Sequence, residues 1–389
     1  MPTIEHVFHF ANTIGKRGSS TKKEEEAARY ADSTLRRLGL ESVIERFESA
    51  PSGWYHAGLF AGLLLVSEAI FWFGGQWGAL AATAVSLVAF VSVLLEMAFR
   101  RSPLRWVLPK GQSQNVWARV LPTDSLKGQV VLLGHLDTHR TPLVFSSDRW
   151  IQVYKILFPV VIGSSLVLIA LFAGGIFGDA RWLQPISLPF VPGIALLLVL
   201  ALQAEQTPYT VGANDNATGA GMVLGLAERL KNEPLAHTAV WVVLSGCEET
   251  GCYGADDFAR NHSDELTDAA WISLDSLGSA SGRLYYLLAE QFLLKTCSDP
   301  GLIDIAGQVA ERHPELDVHP YKKLSNAYTE GSIGAKYKFR VLTLVSLGAG
   351  GKPTEWHRPT DVAQNLDCDM VERAETFVWE FLKEIDRQA

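Results

Sequence analysis

Two long blocks of the chain are nearly free of charge, and no other feature limits its folding so strongly. Residues 57–73 (AGLFAGLLLVSEAIFWF) and 78–99 (GALAATAVSLVAFVSVLLEMAF) are separated only by Gly74-Gly75-Gln76-Trp77. Crossing the hydrocarbon of a bilayer takes about 20 apolar residues, so the pair reads as a transmembrane helical hairpin. Residues 154–177 and 186–204 repeat the design around the short polar loop from Gly178 to Pro185. Pro159, Pro189 and Pro192 are tolerable near spanning-helix ends, and Gly163-Ser164-Ser165 would permit close helix packing. Trp72, Trp77, Trp150 and Trp182 fall near the expected interfaces, as aromatic belts do. Four buried helices of a large soluble core are the plainer alternative, but such helices rarely keep whole turns uncharged on every face. Glu68 is the awkward residue, because a carboxylate inside a span costs a few kcal/mol unless it is protonated or hydrogen-bonded.

The mean hydropathy of +0.12 comes from these blocks, and the remainder reads as an ordinary soluble domain. The expected organisation is therefore a helical N-terminal part (1–55), a first hairpin (56–99) and a hydrophilic first half (100–150). A second hairpin (151–205) and a hydrophilic second half (206–389) follow. Two hairpins put all hydrophilic segments on one side of the membrane. Arg100, Arg101, Arg105, Lys110, Arg149 and Lys155 flank them, against Arg181 alone in the far loops, so the positive-inside rule predicts a cytoplasmic domain. Four cysteines without a paired framework agree with a reducing compartment. Cys247 and Cys252 flank an acidic pair, yet their spacing is not that of a thiolate zinc site. No signal peptide is expected at the N-terminus, and residues 22–38 read as a solvent-facing helix. A net charge of −8 with no basic stripe argues against nucleic-acid binding.

With the hairpins set aside, strand-like and helical runs alternate. Strands are expected at 115–120, 129–134, 239–245, 270–274, 284–287 and 340–346, several of them continuously apolar as strands covered on both faces would be. Helices are expected near 217–231, 254–261, 301–312, 330–337 and 368–387. The pattern predicts an α/β domain with a mixed, mostly parallel sheet flanked by helices. Ligands of such sheets sit beyond the carboxyl ends of the strands.

The chemically interesting residues fall there. The strand VVLLG runs into His135-Leu136-Asp137-Thr138, and Gly212 to Gly219 contains Asn214-Asp215-Asn216. AVWVVLSG leads to Cys247-Glu248-Glu249-Thr250-Gly251, AWISL ends at Asp275, and a late loop reads Glu355-Trp356-His357-Arg358-Pro359-Thr360-Asp361. Singly, each has an ordinary reading: a hydrogen-bonded histidine, a surface Glu pair, an Asp capping the helix near Ala217. Together they supply what a water-activating metal pair requires, a mixed nitrogen and oxygen shell with a bridging group and a free base.

Motif order now resembles metallopeptidase family twenty-eight (clan MH), the co-catalytic zinc aminopeptidases and their carboxypeptidase relatives. That family shows His-x-Asp, Gly-x-x-Asp-[Asn/Asp]-x-[Ser/Ala/Thr]-Gly, Glu-Glu-x-Gly, a single Asp and a final His, all present here in order over about 110–150 and 206–389. The resemblance implies a zinc-exopeptidase (phosphorylase/hydrolase-like) fold. It implies two zinc ions, with cobalt and manganese suited to the same shell. His135 and Asp275 would hold one ion, Glu249 and His357 the other, and Asp215 would bridge. Glu248 would be the general base, and Asp137 would orient His135. The last loop departs from the family's Tyr-His-Thr, and Tyr328-Thr329-Glu330 stands where relatives carry Ser-Asp or Thr-Asp. Tyr328, Lys352 and Arg358 are candidate substrate contacts.

The expected activity is that of a membrane-embedded exopeptidase, an aminopeptidase first, with a carboxypeptidase or other amidohydrolase as alternative. A glutaminyl cyclase fits less well, because His135 completes a two-metal set that single-zinc relatives lack. Outside enzymes, the alternative is an inactive membrane scaffold. The second hairpin begins about 14 residues after His135 and ends about 10 before Asp215, short reaches that place both ligands near the bilayer surface. Peptides at the membrane are the expected partners, together with the bilayer itself. The sequence leaves the oligomeric state open.

Overall fold

Every residue of Thr238–Ser245 is buried, and this strand shows how the sheet is built. Val240, Val242 and Leu244 join the main core, whereas Trp241 on the alternate face packs against Trp117 and Phe258. A strand covered on both faces has no polar side to show, which is why its sequence is continuously apolar. The computed structural model describes all residues, Met1–Ala389.

Eight strands form the principal sheet: β1 (Val43–Ser49), β2 (Gly111–Val120), β3 (Gly128–His135), β4 (Thr238–Ser245), β5 (Ala270–Asp275), β6 (Arg283–Leu287), β7 (Val318–Tyr321) and β8 (Arg340–Leu347). Their order is β1-β2-β4-β3-β5-β8-β6-β7. The central β4, β3, β5 and β8 run parallel, β1 and β2 are antiparallel to their neighbours, and β6 is antiparallel to β8 but parallel to β7. Register sets His135 opposite Ser245 and Asp275 opposite Val345, so three chain exits crowd the same edge. This is the mixed, mostly parallel sheet flanked by helices that the alternation predicts. A three-stranded sheet (Ala289–Gln291, Lys295–Cys297, Leu324–Ser325) and the strands β1 and β7 are additional to it.

The chain divides into two compact units. One comprises Met1–Pro51, Lys110–His139 and Tyr209–Ala389, and contains both sheets. Its central helix, Thr218–Asn232, is buried nearly throughout and packs on β3, β4 and β5, with the N-terminal helix Thr3–Phe8 against it. Close approach depends on two glycines. A Cβ at Gly134 would stand 2.8 Å from the Gly219 carbonyl carbon, and one at Gly219 would stand 2.2 Å from the Leu274 oxygen. This helix start therefore lies directly on the ends of β3 and β5, as the Gly residues of LLGH and ATGA allow.

The unit also closes on itself where segments leave it. Ser49 of β1 pairs with Gly111 of β2, and the Thr210 amide donates to the His139 carbonyl at 2.9 Å.

Ser52–Pro109 and Arg140–Pro208 form the other unit. Four of its helical stretches are long and apolar enough to cross a membrane: Trp54–Phe73, Gly75–Met97, Asp148–Phe177 and Ala180–Glu205, the last a run of short turns leading into Val191–Glu205. The first two are separated by Gly74 alone rather than by four residues, because a Cβ there would meet the Gly78 Cα at 2.6 Å. Close packing also differs from expectation. Ser165 is buried as expected, but a Cβ at Gly163 would meet nothing within 4 Å, and Gly175 approaches Phe71 instead. Glu68 is buried and accepts from Trp72 Nε1 at 2.8 Å and from the Ser187 hydroxyl, which tethers its carboxyl between helices.

Candidate metal centre

Where β3, β4 and β5 end, five ligand-type side chains converge. Asp215 lies between two histidines, its Oδ1 3.3 Å from His135 Nε2 and its Oδ2 3.3 Å from His357 Nε2. His357 Nε2 is 3.2 Å from Glu249 Oε2. His135, Asp215 and Asp275 offer ligand atoms all within 4.8 Å of one another. Two donors about 2.0–2.1 Å from one tetrahedral zinc stand roughly 3.3 Å apart, so these separations suit pairs sharing an ion. They are long for hydrogen bonds. His135 Nε2 and Glu249 Oε1 are buried without hydrogen-bond partners, a costly state for groups with no other function.

The charge balance points the same way. Burial, reinforced by Asp215, raises the Glu249 carboxyl to about 7, although His357 opposes it. Burial with the Asp215 charge raises Asp275 to about 6. Glu248 is pushed well above the usual carboxylate range by burial, with Glu249 and Asp275 adding to the shift. Burial works against protonation of His357, yet the Glu249 and Asp215 carboxylates hold it up at about 9. A site with this surplus of buried acid is completed by cations. The donor set fits zinc, with His135, Asp275 and Asp215 able to hold one ion and His357, Glu249 and Asp215 a second.

The surrounding bonds fix each ligand. His135 Nδ1 lies 3.1 Å from the carbonyl oxygen of Asp137, which can only accept, so Nδ1 carries a proton and Nε2 is the nitrogen turned to the site. The Asp137 backbone thus orients the ring. Its carboxylate stands beside the same nitrogen, Oδ1 at 3.4 Å from Nδ1, and also accepts from the Glu248 and Glu249 amides at 3.0 and 3.1 Å and from Ser19 Oγ at 2.6 Å. The Asp361 carboxylate accepts from the amides of Asn214 and Asp215 and holds the bridging loop.

Several residues here carry no recognisable motif. Arg17 is buried, and its guanidinium donates to the carbonyls of Phe10, Gly15, Leu136, Val211 and Gly212 at 2.8–3.0 Å. It thereby joins the loop after His135 to the loop before Asp215. Burial lowers its pKa to about 10, which leaves it charged at neutral pH. Glu24 accepts from Ser20 N, Ser113 Oγ and Cys247 N and secures the strand exit before Glu248. His139 does have a signal, a second histidine four residues after the first. Its ligand atom lies within 4.8 Å of those of Glu249 and His357.

Of the candidate substrate contacts, Tyr328 packs edge-on against Phe292. Its phenol is pushed well up by burial, with the Glu248 carboxyl adding to the shift. The carbonyl of Arg358 accepts from Thr210 Oγ1, and the carbonyl of Lys352 accepts from the Gly348 amide.

Residues 197–382 match Peptidase family M28, a span that holds Asp215, Glu248, Glu249, Asp275 and His357 and begins after His135. Over 77 residues the chain is 40% identical to the alkaline phosphatase isozyme conversion protein of Escherichia coli (strain K12). That match covers 19% of this chain and 22% of the length of that relative. Solved structures resemble it throughout. A leucine aminopeptidase precursor from Bacteroides thetaiotaomicron superposes with a TM-score of 0.59 at 12% identity, covering 98% of this chain and 95% of that one. The zinc aminopeptidase BSAP of Bacillus subtilis gives 0.56 at 12% identity, covering 98% and 94%. Porphyromonas gingivalis glutaminyl cyclase gives 0.59 at 15% identity, covering 100% and 97%. Identities this low establish a shared fold.

Proposed function

We propose, on the premise that residues 197–382 give this chain a domain of peptidase family M28, that it is a zinc-dependent exopeptidase, in the first instance an aminopeptidase. The observation that carries the reading is Asp215, with one carboxylate oxygen at 3.3 Å from each of two histidine nitrogens. Two zinc ions bound here would polarise a scissile carbonyl and render a water nucleophilic at neutral pH. Glu248 takes a proton from that water as its oxygen bonds to the carbonyl carbon. The same carboxyl then delivers the proton to the amine nitrogen as the C–N bond breaks. Burial raises the proton affinity of Glu248, so its carboxyl takes up a proton more readily than a free carboxylate, and Cys252 Sγ donates to its Oε1 at 3.4 Å. Asp137 holds the Glu248 backbone in place, and the Asp137 carbonyl keeps His135 Nε2 turned to the site.

The four apolar helices are read as membrane spans. Their outward side chains include Phe73 and Phe177, 88% and 91% exposed, while Ser67, Ser86, Ser165, Ser187 and Glu68 are buried among them. Apolar outside and polar within is the arrangement of a bundle in lipid. Twenty residues at a rise of about 1.5 Å also match the roughly 30 Å hydrocarbon layer. The substrates proposed are peptides presented at the membrane, and turnover of one peptide free and lipid-anchored tests this; equal rates would remove it.

A panel of free and N-blocked peptides, assayed with the native protein and with Glu248→Gln, tests the activity. Zinc-dependent release of N-terminal residues, lost by about 100-fold or more in the variant, is expected. Cleavage of blocked peptides that survives in Glu248→Gln would overturn the mechanism, and cleavage abolished there would favour the carboxypeptidase reading. Binding of less than one zinc per chain would favour a scaffold.

A further inference from the structure

The imidazole of His139 lies face to face with that of His357, with centroids 3.8 Å apart and planes 12° from parallel. A histidine nitrogen offers its lone pair in the ring plane, so two stacked rings cannot both aim at one ion. His357, flanked by Asp215 and Glu249, is the ligand, and His139 is the ring beside it. Its nitrogen still borders the same space, within 4.8 Å of the ligand atoms of Glu249 and His357. The side chain is half-buried, facing the site without being sealed in.

The backbone there is clamped. The His139 carbonyl accepts from Thr210 N at 2.9 Å, and Thr138 Oγ1 donates to the Thr210 carbonyl at 3.1 Å. The Thr138 amide donates to the Arg17 carbonyl at 3.2 Å. Stacking and these bonds hold the ring before substrate arrives, as transition-state stabilisation requires. The groups beside His357 at this corner are acids, Glu249 and Asp215. They welcome an amino terminus and repel an oxygen that gains negative charge. An imidazole N–H supplies what they cannot.

Resting on the two-metal reading, we propose that His139 is a catalytic residue, donating a hydrogen bond to the scissile carbonyl oxygen as the water oxygen adds to its carbon. The proton stays on His139 throughout. Charge moves onto the carbonyl oxygen and returns when the C–N bond breaks.

Two variants test it on the zinc-loaded full-length protein. His139→Phe keeps a stacked ring without a donor, and His139→Gln keeps a donor without the ring. The readouts are bound zinc, kcat and KM on the best peptide of the panel, and affinity for leucine phosphonic acid, whose oxygens mimic the tetrahedral centre. His139→Phe is expected to lose about 100-fold or more in kcat and a like factor in phosphonate affinity. Its KM should stay within about threefold and its zinc content should be unchanged, with partial recovery in His139→Gln. Unchanged kcat and phosphonate affinity in His139→Phe would overturn the proposal. Loss of an ion would also overturn it, by making His139 a ligand. A zinc-loaded wild type that neither cleaves peptides nor binds the phosphonate would overturn the two-metal reading as well.

Discussion

Ser19 donates its hydroxyl hydrogen to Oδ2 of Asp137 at 2.6 Å, a bond between the N-terminal segment and the carboxylate that holds the Glu248–Glu249 loop. Because that carboxylate also accepts from the Glu248 and Glu249 amides, replacing it disturbs the base and a ligand together. Asp137→Asn is expected to lower kcat/KM and zinc affinity by about 10–100-fold, as seen when groups behind metal ligands are removed. Ser19→Ala, which leaves both amide bonds in place, should cost less. Zinc titration and steady-state kinetics on the two variants check the order.

Arg17 satisfies five backbone carbonyls from one buried guanidinium. Arg17→Met would leave them without donors and is expected to cost about 3–5 kcal/mol of unfolding free energy. Arg17→Lys, with a single ammonium and three hydrogens, should fall between it and the wild type. Denaturant unfolding in detergent measures both.

Glu290 is a buried carboxyl bonded to the hydroxyls of Thr329 and Ser332, and burial pushes its pKa from 4.5 up to about 7. The folded protein therefore favours the neutral acid. Its contribution is fully present below pH 4.5 and is lost as pH rises through about 7, in total about 3 kcal/mol. Glu290→Gln cannot ionise, so its stability should fall less than that of the wild type between pH 5 and pH 8. Parallel curves for the two proteins would refute this.

If the helices span a membrane with the catalytic unit in the cytoplasm, Arg181 lies in a loop on the outer side. Arg181→Cys, in a background with Cys297→Ser and Cys368→Ser, should react with an impermeant maleimide added to intact cells. Cys247 and Cys252 are buried and should stay silent. Labelling only after lysis would reverse the orientation.

How far the sequence could be read depended on where each residue's partners lie. β3, β4 and β5 are covered on both faces, so their strings are almost wholly apolar, and the candidate ligands follow at their ends. β1 reads poorly as VIERFES. It is an edge strand with one face open, and its partner β2 begins only after the first apolar block. Arg17 and Ser19 carry no motif, and Glu24 falls in what reads as a solvent-facing helix, because the carbonyls and amides they serve lie on distant segments. His139 was overshadowed by His135. Only the stack against His357 separates it from a chance histidine. For Asp137 the place beside His135 was legible, but its bonds to the Glu248 and Glu249 amides were not.

The paired ends described for the sheet-bearing unit carry a consequence for how such a chain can be remade. Ser49 already faces Gly111 across the ladder, and His139 already bonds Thr210. Each apolar segment therefore departs and returns through a gate one hydrogen bond wide, as a loop of unusual length. A tight turn in place of 51–109 and another in place of 140–208 would rejoin the sheet-bearing unit without altering any strand order. In this topology the apolar unit is a pair of inserts, and the sheet-bearing unit keeps its full strand order with both of them cut away.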